Sequence, residues 1–144
     1  FKNANYIVTP TQKNSQEAID TCIKLGEVLG FSHIAVLSPE EHDEMIAYLS
    51  QLTHCIAVSL MNANDNPNLA EFTGDSFRDL TRIAKINDKM WSELFLMNKD
   101  ALLICIDAFQ NELQEFRNLI EKEDVEALRQ KMRSSTERRL KFEK

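Results

Sequence analysis

The spacing of apolar residues divides the chain into two parts of different character. YIVT at 6–9 and HIAVL at 33–37 are short apolar runs typical of strands, and the segment between them has apolar residues at helical spacing and ends on Gly30 as a C-cap. Strand, helix and strand in this order indicate an α/β sheet, but two strands are too few for a stable one. We therefore interpret residues 1–37 as the edge of a larger sheet whose other strands lie upstream.

From Ser38 onward the pattern is helical. Ser38 is a predicted N-cap, Pro39 takes the first helical position and Glu41 completes a capping box. The helical spacing then continues without a break through EMIAYLSQLTHCIAVSLM. A polar loop, a short helix through FRDLTRIA, a helix capped by Asn87 and two long helices follow. The sequence predicts a mainly α protein in which an all-helical domain over 38–144 follows a β-α-β stub.

The predicted helix over residues 99–121 is apolar on nearly all sides in its first turns, from Ala101 to Phe109. A helix without a polar face is buried on more than one side. The remaining helices of so small a domain offer too little surface to bury it. We therefore expect a second copy of the chain to cover this helix, and the sequence predicts a homodimer.

Composition excludes several classes of function. The formal net charge of −6 argues against a nucleic-acid interface, and the one basic cluster, RSSTERRLKFEK, is interleaved with glutamates. No apolar run approaches the roughly 20 residues of a membrane span, and no histidines or cysteines have metal-ligand spacing. The three separated cysteines, Cys22, Cys55 and Cys105, indicate reduced thiols in a cytoplasmic protein. The opening FKNANYIVTP has no Met and no signal-peptide layout, which suggests a cut chain.

Arg78 and Arg82 form the first candidate binding site. Four residues apart on a predicted helix, the two guanidinium groups project to one side and suit a carboxylate or a phosphate. The alternative is a solvated surface on which Asp75, Asp79 or Glu71 neutralises both arginines. The spacing by itself leaves both interpretations open.

Ser50, His54 and Trp91 are the other polar or aromatic residues that suit a binding site. Ser50 and His54 are one helical turn apart, so that the hydroxyl and the imidazole form a polar wall, or the hydroxyl satisfies a histidine of the core. Trp91 is the only tryptophan, and an anchor between helices is the alternative to a ligand contact. No glycine-rich phosphate loop and no nucleophile arrangement accompanies them.

Four segments together resemble the C-terminal half of the prephenate dehydrogenase family, the NAD-dependent enzymes of tyrosine biosynthesis. In chain order they are NANYIVTP, SPEEHDEMIAYLSQLTH, GDSFRDLTRIAK and MWSELFLMNKDALL. They have the order and the approximate spacing of the family and cover nearly the whole chain.

The resemblance implies an enzyme of which this chain is one part. Residues 1–37 would be the C-terminal edge of a Rossmann-type domain that binds NAD, and 38–144 the substrate-binding and dimerisation domain. The implied reaction is the oxidative decarboxylation of prephenate, a ring dicarboxylate, to 4-hydroxyphenylpyruvate. The general-base histidine would belong to the absent domain, so we expect no catalytic residue here and no activity of the isolated fragment.

The resemblance also assigns roles to the candidate residues. Arg82 matches the arginine that binds substrate. The other matches are two neighbours at the pocket mouth, Arg78 and Asp79, two polar residues on the substrate side, Ser50 and His54, and Trp91, which the family can contribute from the partner subunit.

Three residues depart from the family pattern. Gln51 and Thr53 replace the His and Pro of the common SHLPH, and Asp75 stands where a run of glycines is usual. A carboxylate at Asp75 suits an amino group better than a second carboxylate. The departures keep two alternatives open: an arogenate dehydrogenase, or a non-catalytic helical module for dimerisation or ligand sensing.

Overall fold

The first 37 residues form a strand–helix–strand unit, as the sequence predicts. In the computed structural model, which describes Phe1 and residues 4–143, strand β1 (Asn5–Val8) pairs in parallel with β2 (His33–Val36), with Asn5 opposite His33. Helix α1 (Gln16–Val28) connects them. Lys2, Asn3 and Lys144 lie outside the described residues, so the opening segment FKNANYIVTP is described only in part.

Two glycines fix how α1 meets this sheet. Gly26 is buried, and a Cβ placed on it would lie 2.7 Å from the Tyr6 ring and 3.1 Å from Ile34 Cδ1. Only a residue without a side chain lets the helix approach both strands this closely. Gly30 follows the helix with φ of 77°, the left-handed conformation that the predicted C-cap requires.

Every element after the sheet is helical within the described residues, as the sequence predicts. In chain order they are α2 (Pro39–Ile46), a π-helical turn (Ala47–Gln51), α3 (Leu52–Asn62), α4 (Leu69–Phe72), α5 (Asp75–Thr81), a 3₁₀ turn (Arg82–Ala84), α6 (Asp88–Met97), α7 (Lys99–Glu121) and α8 (Val125–Leu140). None of the helices in the described ranges is long and apolar enough to cross a membrane. The chain divides into two compact units, residues 1–102 and 103–144.

The start of α2 confirms the predicted capping box. Ser38 Oγ accepts from the Glu41 backbone N–H at 3.1 Å, and the Glu41 carboxylate accepts from the Ser38 backbone N–H at 2.8 Å. This second bond is the main reason why the pKa of Glu41 lies below its usual value, and the Ser38 hydroxyl adds to the effect.

We expect the capping box to make stability depend on pH. Because folding lowers the pKa of Glu41, the unfolded state binds more protons, and the contribution of Glu41 is lost as the pH falls through its lowered pKa. The melting temperature of wild type should therefore fall more steeply between about pH 7 and about pH 3 than that of Glu41→Gln. Glu40→Gln, which removes a charge at the neighbouring position, is the control. Equal slopes for wild type and Glu41→Gln would contradict the expectation.

The long predicted helix is interrupted by the π-helical turn. The Leu52 backbone N–H bonds to the Ala47 carbonyl, five residues back, so the turn accommodates one extra residue. The buried residues of this region are Ala47, Gln51, Leu52 and Ala57. The core of the first unit therefore lies along the π-helical turn and α3, and it includes one polar side chain, that of Gln51.

The second unit has no buried core of its own. No residue from 103 to 143 is buried, and α8 is tied to α7 by Lys131, whose ammonium group lies 2.7 Å from Glu112 and 3.2 Å from Glu115. Its exposed large apolar residues are Leu103, Ile104, Phe109, Leu113, Ile120, Val125, Met132, Leu140 and Phe142. So much uncovered apolar surface marks an interaction site.

Candidate functional site

The imidazole of His54 is held by the backbone of the π-helical turn. Its Nδ1 lies 2.8 Å from the Ser50 carbonyl oxygen, and the Thr53 hydroxyl donates to the same oxygen at 2.7 Å. Because a carbonyl only accepts, Nδ1 carries the proton and the neutral ring keeps Nε2 as its acceptor. The alternative in which the Ser50 hydroxyl satisfies this histidine is wrong, because the partner of the imidazole is the Ser50 carbonyl oxygen of the π-helical turn.

Trp91 stacks on His54 within one chain. The ring centroids lie 3.8 Å apart with an interplanar angle of 28°, and Trp91 also contacts Phe95 at 5.4 Å. Trp91 lies in the first turn of α6, which begins at the predicted cap Asn87, whose side chain accepts from the Met90 N–H at 3.1 Å. The two rings form a flat, half-buried surface between α3 and α6. A contribution of Trp91 to the site of a partner subunit stays a prediction.

A pair of amides joins the same two helices, and sequence reasoning missed its role. Gln51 is 4% exposed; its Nε2 donates to the Leu94 carbonyl at 3.0 Å, and its Oε1 accepts from Asn98 Nδ2 at 2.9 Å. Asn98 Nδ2 also donates to the Asp43 carbonyl at 2.8 Å. The sequence offered one signal for this contact, a polar residue at an apolar position of a helical pattern. That signal does not identify the residues to which Gln51 is hydrogen-bonded.

The two arginines differ in their surroundings. The predicted single helix through FRDLTRIA ends at Thr81, and Arg82 begins a 3₁₀ turn. One cause is local, because the Thr81 hydroxyl donates to the Phe77 carbonyl at 2.7 Å and so competes for a helical acceptor. Arg78 makes an exposed ion pair with Asp75 at 3.7 Å, as the surface interpretation expects.

Arg82 is the cation that lacks a neutralising partner at this site. Its side chain is exposed, and among the described residues no carboxylate lies within ion-pair distance of it. Asp79 is also exposed and makes no ion pair within the same residues. The surface interpretation therefore applies to Arg78 and leaves Arg82 available for a ligand.

The elements that carry Arg82 and Trp91 both meet α3. Helix α3, which carries His54, packs against α5 and against the 3₁₀ turn that begins with Arg82. The candidate site thus offers a guanidinium group on a turn that packs against α3, and an imidazole of α3 that is stacked on an indole ring. Such a set suits a ring compound with a carboxylate.

No residue set in the described part of the chain suits a metal ion, and the chain alone does not fit a dinucleotide. Among the described residues no three His, Cys, Asp or Glu side chains form a group that would hold a metal. The carboxyl ends of β1 and β2 open into a groove of about 540 Å³ lined by residues 10–13 and 38–40. Ligands of α/β sheets bind at this edge, but the sequence has no G-x-G-x-x-G turn to hold a pyrophosphate.

Comparison with known proteins places these observations in a family. The profile described as "Prephenate dehydrogenase, dimerization domain" matches residues 38–134. The chain is 35% identical over 133 residues to the prephenate dehydrogenase of Bacillus subtilis, covering 89% of this chain and 36% of that protein. It is 30% identical over 146 residues to the cyclohexadienyl dehydrogenase of Zymomonas mobilis, covering 97% and 50%.

Solved structures share the fold. The prephenate dehydrogenase from A. aeolicus, solved in complex with hydroxyphenyl propionate and NAD⁺, superposes with a TM-score of 0.87 at 28% identity, over 99% of this chain and 51% of that chain. The Synechocystis arogenate dehydrogenase has the same TM-score at 23% identity, over 99% and 53%. The chain thus spans between a third and about half of these relatives. The predicted fold class, a helical domain preceded by a β-α-β stub, is confirmed, and the chain belongs to the prephenate dehydrogenase family through its dimerization domain.

Proposed function

We propose that this chain is the C-terminal part of an NAD-dependent prephenate dehydrogenase of tyrosine biosynthesis, acting in the cytoplasm. The full-length enzyme would catalyse the oxidative decarboxylation of prephenate to 4-hydroxyphenylpyruvate. The observation that carries the proposal is the exposed Arg82 guanidinium, which has no carboxylate partner in the described residues and begins a turn packed against the helix of His54. A dicarboxylate substrate supplies what this cation lacks.

The chemistry decides which carboxylate Arg82 binds. The ring carboxylate of prephenate must leave as neutral carbon dioxide, and a cation on it would stabilise the ground state more than the transition state. Arg82 therefore suits the side-chain carboxylate, which keeps its charge throughout the reaction. In that position its two parallel hydrogen bonds orient the ring without opposing decarboxylation.

His54 and Trp91 would complete the substrate wall. With Nδ1 bonded to the Ser50 carbonyl, Nε2 is the ring nitrogen that remains to accept from a substrate hydroxyl. The stacked indole supplies a flat apolar surface next to it. Arg78 and Asp79 would shape the mouth of the pocket, and the Ser50 side chain would line it.

The remaining parts of the reaction would belong to an upstream part of the full-length protein, since this chain spans only a third to a half of its relatives. We assign residues 1–37 to the C-terminal edge of the NAD-binding domain and residues 38–144 to the substrate-binding and dimerisation domain. NAD would accept the hydride in the upstream part, which would also hold the general-base histidine. We therefore expect the isolated 144 residues to form no NADH.

A homodimer is the second part of the proposal. The uncovered apolar residues of the second unit and the absence of any buried residue from 103 to 143 support it. The matched family is itself described by dimerization.

The test is NADH formation by the full-length protein given prephenate and arogenate separately. We expect turnover of prephenate, because Asp75, the carboxylate that would suit an amino group, is already paired with Arg78. Turnover of arogenate alone would instead establish the arogenate dehydrogenase. A folded dimer that converts neither compound would show a helical module without dehydrogenase activity and would refute the proposal.

A further inference from the structure

The contact between Gln51 and the Leu94 carbonyl lies one helical turn from the stacked pair of His54 and Trp91, on both sides of the contact. Gln51 is the last residue of the π-helical turn, and His54 follows three residues later. On α6, Leu94, whose carbonyl accepts from Gln51, follows three residues after Trp91. Two contacts on neighbouring turns fix both the rotation and the axial position of α6 against α3.

Three of the four polar side-chain atoms of the two amides make hydrogen bonds that decide the orientation of the amides. Gln51 Nε2 donates to the Leu94 carbonyl, so its Oε1 must face Asn98 Nδ2, which also donates to the Asp43 carbonyl. Turning the Gln51 amide over would place two acceptors, Oε1 and the Leu94 carbonyl, against each other. The pair therefore has one satisfied arrangement and permits one placement of α6.

Burying the amide of Gln51 at this position has a desolvation cost. Gln51 is 4% exposed, and the other buried residues of this region, Ala47, Leu52 and Ala57, are apolar. Burying an amide costs free energy unless each of its bonds is made. Unlike an apolar side chain, the amide makes hydrogen bonds, and these require a defined orientation of the two partners. The structure uses that orientation at the carbonyl of Leu94 and at Asn98, where α6 ends with φ of −116°.

We propose that Gln51 and Asn98 are positioning residues that hold Trp91 of α6 against the imidazole of His54 and thereby set the geometry of the substrate wall. They act through Trp91 and touch no substrate themselves. The proposal rests on the proposed function for its effect on substrate, and on the hydrogen bonds and the ring stacking alone for its effect on Trp91. Displacements of about 1 Å in a binding wall are enough to weaken a ligand's orientation.

The experiment uses the full-length protein and two readouts. The first is collisional quenching of Trp91 by acrylamide, isolated by subtracting the emission of the same variant carrying Trp91→Phe. The second is KM against kcat for prephenate. Gln51→Leu removes both hydrogen bonds of the Gln51 amide. In this variant we expect Trp91 to become at least about twice as accessible to acrylamide and KM to rise about tenfold, with a smaller change in kcat.

Two further variants make the test specific. Asn98→Asp removes the donor that reaches both Gln51 and Asp43 while keeping the size of the side chain, so it tests the pair if Gln51→Leu does not fold. Gln114→Leu is the matched control, because Gln114 Nε2 donates to Asn118 at 2.8 Å in an exposed pair of the same chemistry on α7. The control should leave both readouts at the wild-type values.

The outcomes separate the inference from the proposed function. A lower melting temperature with Trp91 accessibility and KM unchanged would reduce the pair to a stabilising contact and overturn the inference. Greater accessibility of Trp91 to acrylamide with unchanged KM would overturn the inference as well, because the substrate wall would then not depend on the position of α6. Absence of wild-type turnover would refute the proposed function, and the quenching of Trp91 would still decide whether the pair holds the indole.

Discussion

Replacing Arg82 by alanine in the full-length protein is expected to raise KM for prephenate by about 10- to 100-fold, with a much smaller change in kcat. Hydrogen bonds to a charged partner contribute about 1.5–3 kcal/mol, and each 1.4 kcal/mol is a factor of ten in affinity. The bond to a side-chain carboxylate is the same in the ground state and in the transition state, so its loss appears in KM. Steady-state kinetics over a wide range of prephenate concentration measures both constants.

Arg78 provides the matched control for this prediction. It is one turn away on α5 and pairs with Asp75 at 3.7 Å, with both side chains exposed, and such surface pairs contribute about 0–1 kcal/mol. Arg78→Ala should therefore change KM by less than about fivefold. Arg82→Lys should fall between alanine and wild type, since an ammonium group keeps the charge but not the paired hydrogen bonds. Equal KM values for Arg82→Ala and wild type would show that Arg82 does not bind prephenate and would contradict the proposed function.

The elements with strong local signals were predictable from the sequence. Ser38 and Glu41 form the predicted capping box, Asn87 caps α6, and Gly30 adopts the left-handed conformation that ends α1. Each of these depends on side-chain and backbone atoms within about four residues, which a sequence pattern can represent. The β-α-β order was predictable for the same reason, because the period of apolar residues changes where strand gives way to helix.

The features that shape the candidate site were not predictable, because they depend on contacts between distant elements. The π-helical turn at Ala47–Gln51 is not visible in the apolar spacing, because Met45, Leu49, Leu52 and Ile56 recur at intervals of three and four residues across it. Gln51 meets Leu94 and Asn98, more than 40 residues away, and the pattern gives no partner for a buried amide. The difference between Arg78 and Arg82 arises where α5 tightens into a 3₁₀ turn after Thr81.

The apolar face of α7 leads to the second large effect. Phe109, Leu113, Phe116 and Ile120 recur at helical spacing, and the last three line a surface groove of about 360 Å³. Leu113 is 59% exposed and Ile120 55% exposed. No residue from 103 to 143 is buried, so a stripe of this kind needs to be covered. A second copy of the chain would supply an identical stripe across a twofold axis.

Leu113→Glu is expected to convert the proposed dimer largely to monomers at micromolar concentration. Burying a leucine contributes about 1.5–3 kcal/mol, and the twofold axis counts it twice, so the change weakens dimerisation by at least about 100-fold before the cost of burying a carboxylate is added. Light scattering coupled to size-exclusion chromatography across a dilution series measures the effect. Gln114→Glu places a carboxylate one residue further along α7, off the apolar stripe, and should leave the dimer intact. A Leu113→Glu protein as dimeric as wild type at every dilution would place the interface elsewhere, because a carboxylate in the middle of a buried apolar stripe cannot be accommodated without that loss.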